Sequence, residues 1–196
     1  MAHKYTSLEI ANVKNWIVSS LQILVQKDGD LLRPEAIPTL YRLKGQKDLN
    51  RQLHETAINH RLAFHLEYLI EKHCICGYHV DIEYNRYINN KKLVQSMETR
   101  NLIEVRPDII VHKRTRLRER DPHFLVVEAK KRKVNDKDRN HVEDIMCDNN
   151  YRYKFGMLIS YYDNPQVIQV TFLTRPNDEF SEDIFTVSKM QTTRRN

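Results

Sequence analysis

Nothing in the 196 residues approaches the roughly 18 consecutive apolar residues of a membrane-spanning helix, and the N-terminus lacks the continuous apolar region of a secretory signal. A cytoplasmic protein with no membrane partner is expected. Cysteine is scarce as well. Cys74, Cys76 and Cys147 are too sparse and odd in number for a disulfide framework, which suits a reducing compartment. His73, Cys74, Cys76 and His79 crowd four zinc-ligand types together, but Cys-x-Cys is not the usual knuckle spacing, so buried or idle thiols are the better reading. There is no internal repeat, low-complexity tract, helix-turn-helix, zinc finger or RNA-stacking signature, so no separate recognition module announces itself.

What is present is positive charge. Lys and Arg number 32 against 26 Asp and Glu, a formal net charge of +6 that favours a polyanionic partner, nucleic acid first. Basic residues gather at Lys113 to Arg120, at Lys130 to Lys133 and at Arg194-Arg195. The first two groups flank the segments that carry the chemistry.

Phe124-Leu125-Val126-Val127-Glu128-Ala129-Lys130 begins as an apolar run of branched residues and ends in charge, the pattern of an interior strand whose tip is functional. Strand alternation puts Phe124, Val126, Glu128 and Lys130 on one face. Arg106-Pro107-Asp108-Ile109-Ile110-Val111-His112 reads as a second strand, with Pro107 at its start and Asp108, Ile110 and His112 on one face. Pairing the two strands would set Asp108 beside Glu128. Two carboxylates, with the Ala129 carbonyl, suit a hard cation such as Mg²⁺, with Mn²⁺ as a substitute. Such an ion polarises a phosphate and acidifies a water, while Lys130 orients that water or offsets developing charge. The plain alternative is a strand end with solvated charges.

Pro107-Asp108 followed by Glu128-Ala129-Lys130 resembles the PD-(D/E)XK, or restriction endonuclease-like, nuclease superfamily. With Val80 to Arg86, Pro107 to His112 and Val126 to Lys131 taken together, the chain looks like an uncharacterised bacterial branch of it, over roughly residues 50 to 175. The resemblance implies a restriction endonuclease-like α/β sandwich, a central mixed sheet flanked by helices. It also implies metal-dependent hydrolysis of phosphodiester bonds, most readily by a DNA endonuclease, with Asp108 and Glu128 as metal ligands and Lys130 as the catalytic lysine. Superfamily members often add a helical glutamate. Glu55 is preferred here over Glu67, because it shares the inward face of Ile58 and Leu62, whereas Glu67 falls on a flank.

Thr6 with Glu9 resembles a capping box, followed by a first helix to about Asp28-Gly29 with Ile10, Val13, Ile17, Leu21 and Leu24 at helical spacing. Pro34 and Pro38 mark a connection, and a second helix is expected over about 48 to 73 with a stripe of Leu53, Ala57, Ile58, Leu62, Leu66 and Leu69. His79 to Tyr87 alternates as a half-buried strand with Val80, Ile82 and Tyr84 on one face and a polar second face. On that polar face Glu83 is a further candidate metal ligand. Arg86, Lys131, Arg132 and Lys133 are candidate phosphate contacts. His112 and His141 are general-base candidates by type alone.

Asn89 to Arg100 reads as a loop or hairpin excursion, Asp136 to Asp148 as a helix, and Tyr153 to Tyr161 and Gln166 to Leu173 as strands. One domain is expected: a helical extension over 1–47, the nuclease core over 48–175 and a tail over 176–196. The alternative to a nuclease is an idle or partner-activated nucleic-acid-binding module of a defence or toxin system. Cutting both strands of a duplex would favour a homodimer.

Overall fold

The computed structural model describes residues 5–32, 55–73, 77–84, 86–87, 90–114 and 122–190. Residues 48–54, the expected start of the second helix, with Leu53 among them, and Pro34, Pro38, Cys74, Cys76, the basic stretch 115–120 and Arg194-Arg195 lie outside these residues. The described chain is mixed α/β, with three α-helices and a central mixed sheet of six strands.

Helix α1 (Ser7–Lys27) starts where the Thr6 side chain accepts the Glu9 N–H at 3.1 Å, satisfying one of the open donors of the first turn. The Glu9 carboxylate takes the Lys154 ammonium at 2.7 Å. Val13, Ile17, Leu21 and Leu24 are almost wholly buried, each stabilising the fold by roughly 1.5–3 kcal/mol relative to exposure. They pack with Ile58, Leu62, Leu66 and Ile70 of α2 (Glu55–Lys72) in one core layer. Helix α1 is thus part of the main core, not an extension to it. Contacts distant in sequence fasten it: the Tyr5 hydroxyl donates to the Lys154 carbonyl (2.9 Å) and accepts the Arg175 N–H (3.0 Å), and Lys14 pairs with Asp183.

The sheet contains β1 (Tyr78–Ile82), β6 (Ile109–Lys113), β7 (His123–Lys130), β8 (Phe155–Ser160), β9 (Val167–Thr174) and β10 (Ser181–Ser188), side by side in that order. Only β7 and β8 run parallel, and the helix α3 (Asp136–Cys147) connects them, as a crossover between parallel strands requires. Strand β10 corrects the expectation of a tail after 176: Phe185 and Val187 pack into the α1/α2 core, and the segment pairs along its whole length with β9. Helices α1 and α2 cover one face and α3 the other. No described helix is long and apolar enough to cross a membrane.

Two local backbone events overturn the simple alternation expected from sequence. In β7, His112 pairs with His123 while Val111 pairs with Leu125, so Phe124 is an extra residue in the ladder. Phe124 therefore packs on the α1/α2 side against Tyr78 and Phe155, and only Val126, Glu128 and Lys130 share the α3 face. At the end of β1, Glu83 adopts φ 47°, a left-handed conformation uncommon for a residue with a side chain. The strand stops there, and Tyr84 crosses to the α3-side cluster while Val80 and Ile82 face α1 and α2.

The excursion between β1 and β6 is two hairpins, β2 (Arg86–Tyr87) with β3 (Asn90–Lys91) and β4 (Leu93–Gln95) with β5 (Leu102–Glu104). Between β3 and β4, Lys92 is 1% exposed, its Nζ 3.3 Å from the Tyr153 hydroxyl and 5.1–5.5 Å from the ring centres of Tyr84, Tyr151 and Tyr153. Burial pushes its ammonium down to about 8, against the opposing pull of the Asp81 charge. Because the folded value lies below the unfolded one, burying the charged form costs stability below pH 8, and stability returns as pH rises from about 8 toward 10.5. Lys92→Met, of similar length and apolar, is expected to raise the thermal midpoint at pH 7 by several degrees and to flatten that rise. Scanning calorimetry at pH 7 and 9.5 checks it. A lower midpoint at both values would mean that the cation–ring contacts outweigh burial.

Candidate functional site

The acids and the lysine meet where β6 begins and β7 ends. Antiparallel pairing of Ile109 with Val127 makes Asp108, the residue just before β6, the neighbour of Glu128. The Asp108 backbone is fixed by the Glu83 N–H, which donates to its carbonyl at 3.0 Å. Its side chain is fixed by the Ala129 N–H, which donates to Oδ2 at 2.8 Å. In a strand the N–H and C=O of one residue face the same neighbour, so the Ala129 carbonyl also points to the Asp108 side.

Lys130 is the hub. Its Nζ lies 2.5 Å from Glu128 Oε1, 3.7 Å from Asp108 Oδ2, 3.8 Å from Glu55 Oε1 and 3.9 Å from Asp138 Oδ1. Glu55, at the first turn of α2, also accepts the Lys131 N–H at 2.8 Å, which anchors the helix end to the strand end. Of the two helical glutamates weighed from sequence, Glu55 is the one within 4 Å of Lys130 Nζ. Glu67 stands in the electrostatic neighbourhood of Arg114 instead. His141 places Nδ1 3.6 Å from Glu128 Oε2.

Asp138 is the member that sequence reading missed. It is held by a capping box, in which Asn135 Oδ1 accepts the Lys137 and Asp138 N–H groups and the Asp138 carboxylate accepts the Asn135 N–H at 2.9 Å. The Asn-x-x-Asp spacing before an amphipathic run was a usable signal. A helix whose first turn follows five residues after Lys130 has little room to point that carboxylate elsewhere.

Burial, and then the nearby Glu128 charge, push the Asp108 carboxyl up to about 7, against the Ala129 hydrogen bond and the Lys130 charge. For Glu128 burial acts in the same direction, but the close approach of His141 and the Lys130 hydrogen bond outweigh it and hold the group below the usual carboxylate range. Burial alone would lower Lys130. The Glu128 hydrogen bond and the surrounding carboxylates reverse that, so Lys130 is an ammonium well above the ordinary lysine value. It is therefore suited to balancing negative charge and unsuited to taking up a proton.

Other expected residues are placed elsewhere. The Glu83 carboxylate is not at the cluster: it accepts the Thr56 hydroxyl at 3.1 Å and pairs with Arg106. His112 is buried near the far end of β6, with Nε2 2.7 Å from Asp81 Oδ2, and Arg114 holds the same carboxylate. Lys131, Arg132 and Lys133 follow directly on β7 and border the cluster, the last two exposed. Of Arg86 only the backbone, in β2, is within the described residues. The His73 ring packs near Trp16, at 5.9 Å between centres, and Cys147 is a free thiol, half-buried, which pushes it up.

Among the described residues no group of three or more His, Cys, Asp and Glu side chains is arranged so that it could hold a metal ion. Magnesium does not require three. It is commonly held by one or two carboxylates and completes its shell with water and substrate phosphate. Asp108 and Glu128 with the Ala129 carbonyl fit such an ion in donor type, and the Lys130 ammonium fills the space between the acids as their counter-charge. Compared with known proteins, the chain matches no family model, no curated protein and no solved structure.

Proposed function

We propose that this protein is a divalent-metal-dependent nuclease of the PD-(D/E)XK kind that hydrolyses phosphodiester bonds, with DNA as its substrate and Mg²⁺ as its ion. The observation that carries the reading is the set of four carboxylates within 4 Å of Lys130 Nζ, two of them the Asp and Glu of the motif. A partly buried, excess-acid cluster in a chain of net charge +6 is the pattern expected where a cation is to be held against a polyanion. The order helix, three antiparallel strands, helix and parallel strand, in α2, β1, β6, β7, α3 and β8, supports the restriction endonuclease-like version of the fold.

In this reading Asp108, Glu128 and the Ala129 carbonyl hold the ion, which supplies Lewis-acid polarisation of the phosphate and a more acidic attacking water. Lys130 moves from the carboxylates to the substrate and neutralises charge developing on the scissile phosphate. Glu55 keeps the end of α2 against Lys131 and contributes a negative charge on the open side. Lys131, Arg132 and Lys133 hold flanking backbone phosphates.

The test is cleavage of circular plasmid, single-stranded DNA and RNA by wild type and Lys130→Ala, with Mg²⁺, Mn²⁺ or chelator. Cutting that needs metal and falls at least about 100-fold in the variant is expected. A second reading, a non-cleaving nucleic-acid-binding module, has one observation in its favour: Lys130 already neutralises Glu128 without any ion. Tight, salt-sensitive DNA binding with no cleavage in any metal would select it.

A further inference from the structure

Beside the acid cluster, on the α3 face of the sheet, lies a cavity of about 130 Å³. Its floor continues the rows of the site itself. Lys130 pairs with Ser160, which pairs with Gln169, and Glu128 pairs with Leu158, which pairs with Thr171. Gln169 and Thr171 share the face of Leu173, which packs in the α3-side core. Two strand spacings, about 10 Å, separate the Lys130 and Gln169 positions across the sheet. A nucleotide next to the one being cut would lie over this floor.

The lining indicates what it takes. An anion is poorly served: the Lys137 and Asp138 N–H groups of α3 are held by Asn135, and Val134 N–H donates to Ser160 Oγ at 3.1 Å. Arg139, in the wall, is bound by Glu143 and Glu182, and Asp136 adds negative charge beside it. Lys133 also lines the cavity, exposed and in keeping with its assignment to a flanking backbone phosphate, which leaves the Gln169 amide, a donor and an acceptor, and the Thr171 hydroxyl on the sheet side. Both side chains are half-buried, and neither has a hydrogen-bond partner among the described residues. The buried Leu158 supplies an apolar surface between them and the cluster. A flat, uncharged group with a hydrogen-bonding edge complements this set, and the volume is well below the roughly 300 Å³ of pockets for larger ligands.

Resting on the nuclease reading above, we infer that this cavity receives the unstacked base of the nucleotide flanking the scissile phosphate. The preferred substrate is then nucleic acid with an unpaired base at that position, not a closed duplex. Gln169 and Thr171 read the base edge and set any base preference.

Two measurements test this. In the first, the four deoxynucleoside 5′-monophosphates are titrated into the full protein without metal while backbone amide resonances are followed. Saturable shifts are expected at Leu158, Ser160, Gln169 and Thr171. They should weaken about tenfold in Gln169→Leu, a change close in size that removes the hydrogen-bonding groups, and likewise in Thr171→Val. Shifts confined to the Lys130 region, or unaltered in both variants, overturn the inference.

In the second, single-stranded, bubble and fully paired oligonucleotides of one sequence are cleaved with Mn²⁺. The unpaired substrates should be cut at least about tenfold faster, a ratio that falls toward one in the two variants. Equal rates on all three in the wild type overturn it while leaving the nuclease standing. If nothing is cut, the nuclease reading fails, and the titration alone decides whether the cavity is a nucleobase site.

Discussion

Asp108→Asn is expected to reduce metal-dependent cleavage by on the order of 10³-fold and, in the same molecule, to raise the thermal midpoint of the metal-free protein at pH 8. The two effects have one cause. Asp108 sits in a partly buried cluster where a single ammonium faces four carboxylates, and its own ionisation is resisted up to about 7. At pH 8 the wild type carries that charge at a cost in stability. Asparagine keeps the oxygen that accepts the Ala129 N–H at 2.8 Å and removes the repulsion from Glu128. In a chain of this length each kcal/mol gained moves the midpoint by about 2–4 °C.

Adding Mg²⁺ should stabilise the wild type, because the ion binds the folded acids, and should leave the variant nearly unmoved. Parallel melts with and without the ion, beside a cleavage assay, give both halves. A variant less stable than wild type at pH 8 would show that Asp108 is a structural anchor whose charge the fold needs. One that still cuts would remove the central ligand from the proposal.

Gly156→Ala should unfold the protein more readily and slow the chemistry from a position that touches no site residue. Gly156 lies in β8 directly beneath α3, and a Cβ built there would stand 2.5 Å from Met146 Sδ, 2.8 Å from Val142 Cγ1 and 3.3 Å from Leu173 Cβ. Met146 can swing aside at little cost. Val142, branched and fully buried, has few alternatives, so the helix itself must lift. Overpacking of this kind costs roughly 1–3 kcal/mol.

Helix α3 carries Asp138 and His141, 3.9 Å and 3.6 Å from their partners in the cluster, and an outward shift of even an ångström lengthens both contacts. A fall of about 10²-fold in cleavage is expected with substrate binding little changed. Calorimetry and steady-state kinetics check the two parts. An unchanged midpoint would mean that α3 tolerates displacement, and an unchanged rate that Asp138 and His141 stand outside the chemistry.

Much of this geometry could be read from residue order, and the failures have local physical reasons. The apolar runs before Glu128 and after Asp108 identified paired strands because their burial on both faces leaves an unambiguous signature. Glu55 followed from the 3.6-residue period, since its face is that of Ile58 and Leu62. The extra residue at Phe124 and the left-handed Glu83 are different in kind. Each changes which face the next side chains occupy, and each is held by tertiary packing that no run of residues announces. Glu83 illustrates the consequence, since with the strand ended at Ile82 its carboxylate turns to Thr56 and Arg106 and not to the acids.

Strand β10 was hidden by its polar beginning, Ser181-Glu182-Asp183, although Phe185 and Val187 keep the two-residue period. As an edge strand it needs only one apolar face, and its two acids are taken by Arg139 and Lys14 of the helices on either side.

The attachment of α1 has a kinetic meaning. Tyr5 meets Lys154 and Arg175, and Lys14 meets Asp183, at sequence separations of 149, 170 and 169. Closing so long a loop adds only slowly to the entropy that must be overcome, but a topology rich in such distant partners lengthens the search for the folded state. The segment β7, α3, β8 is contiguous and can assemble early. Helix α1 has its full docking surface only after β9 and β10 have joined the sheet, which makes its arrival a late step of folding and its departure an early step of unfolding.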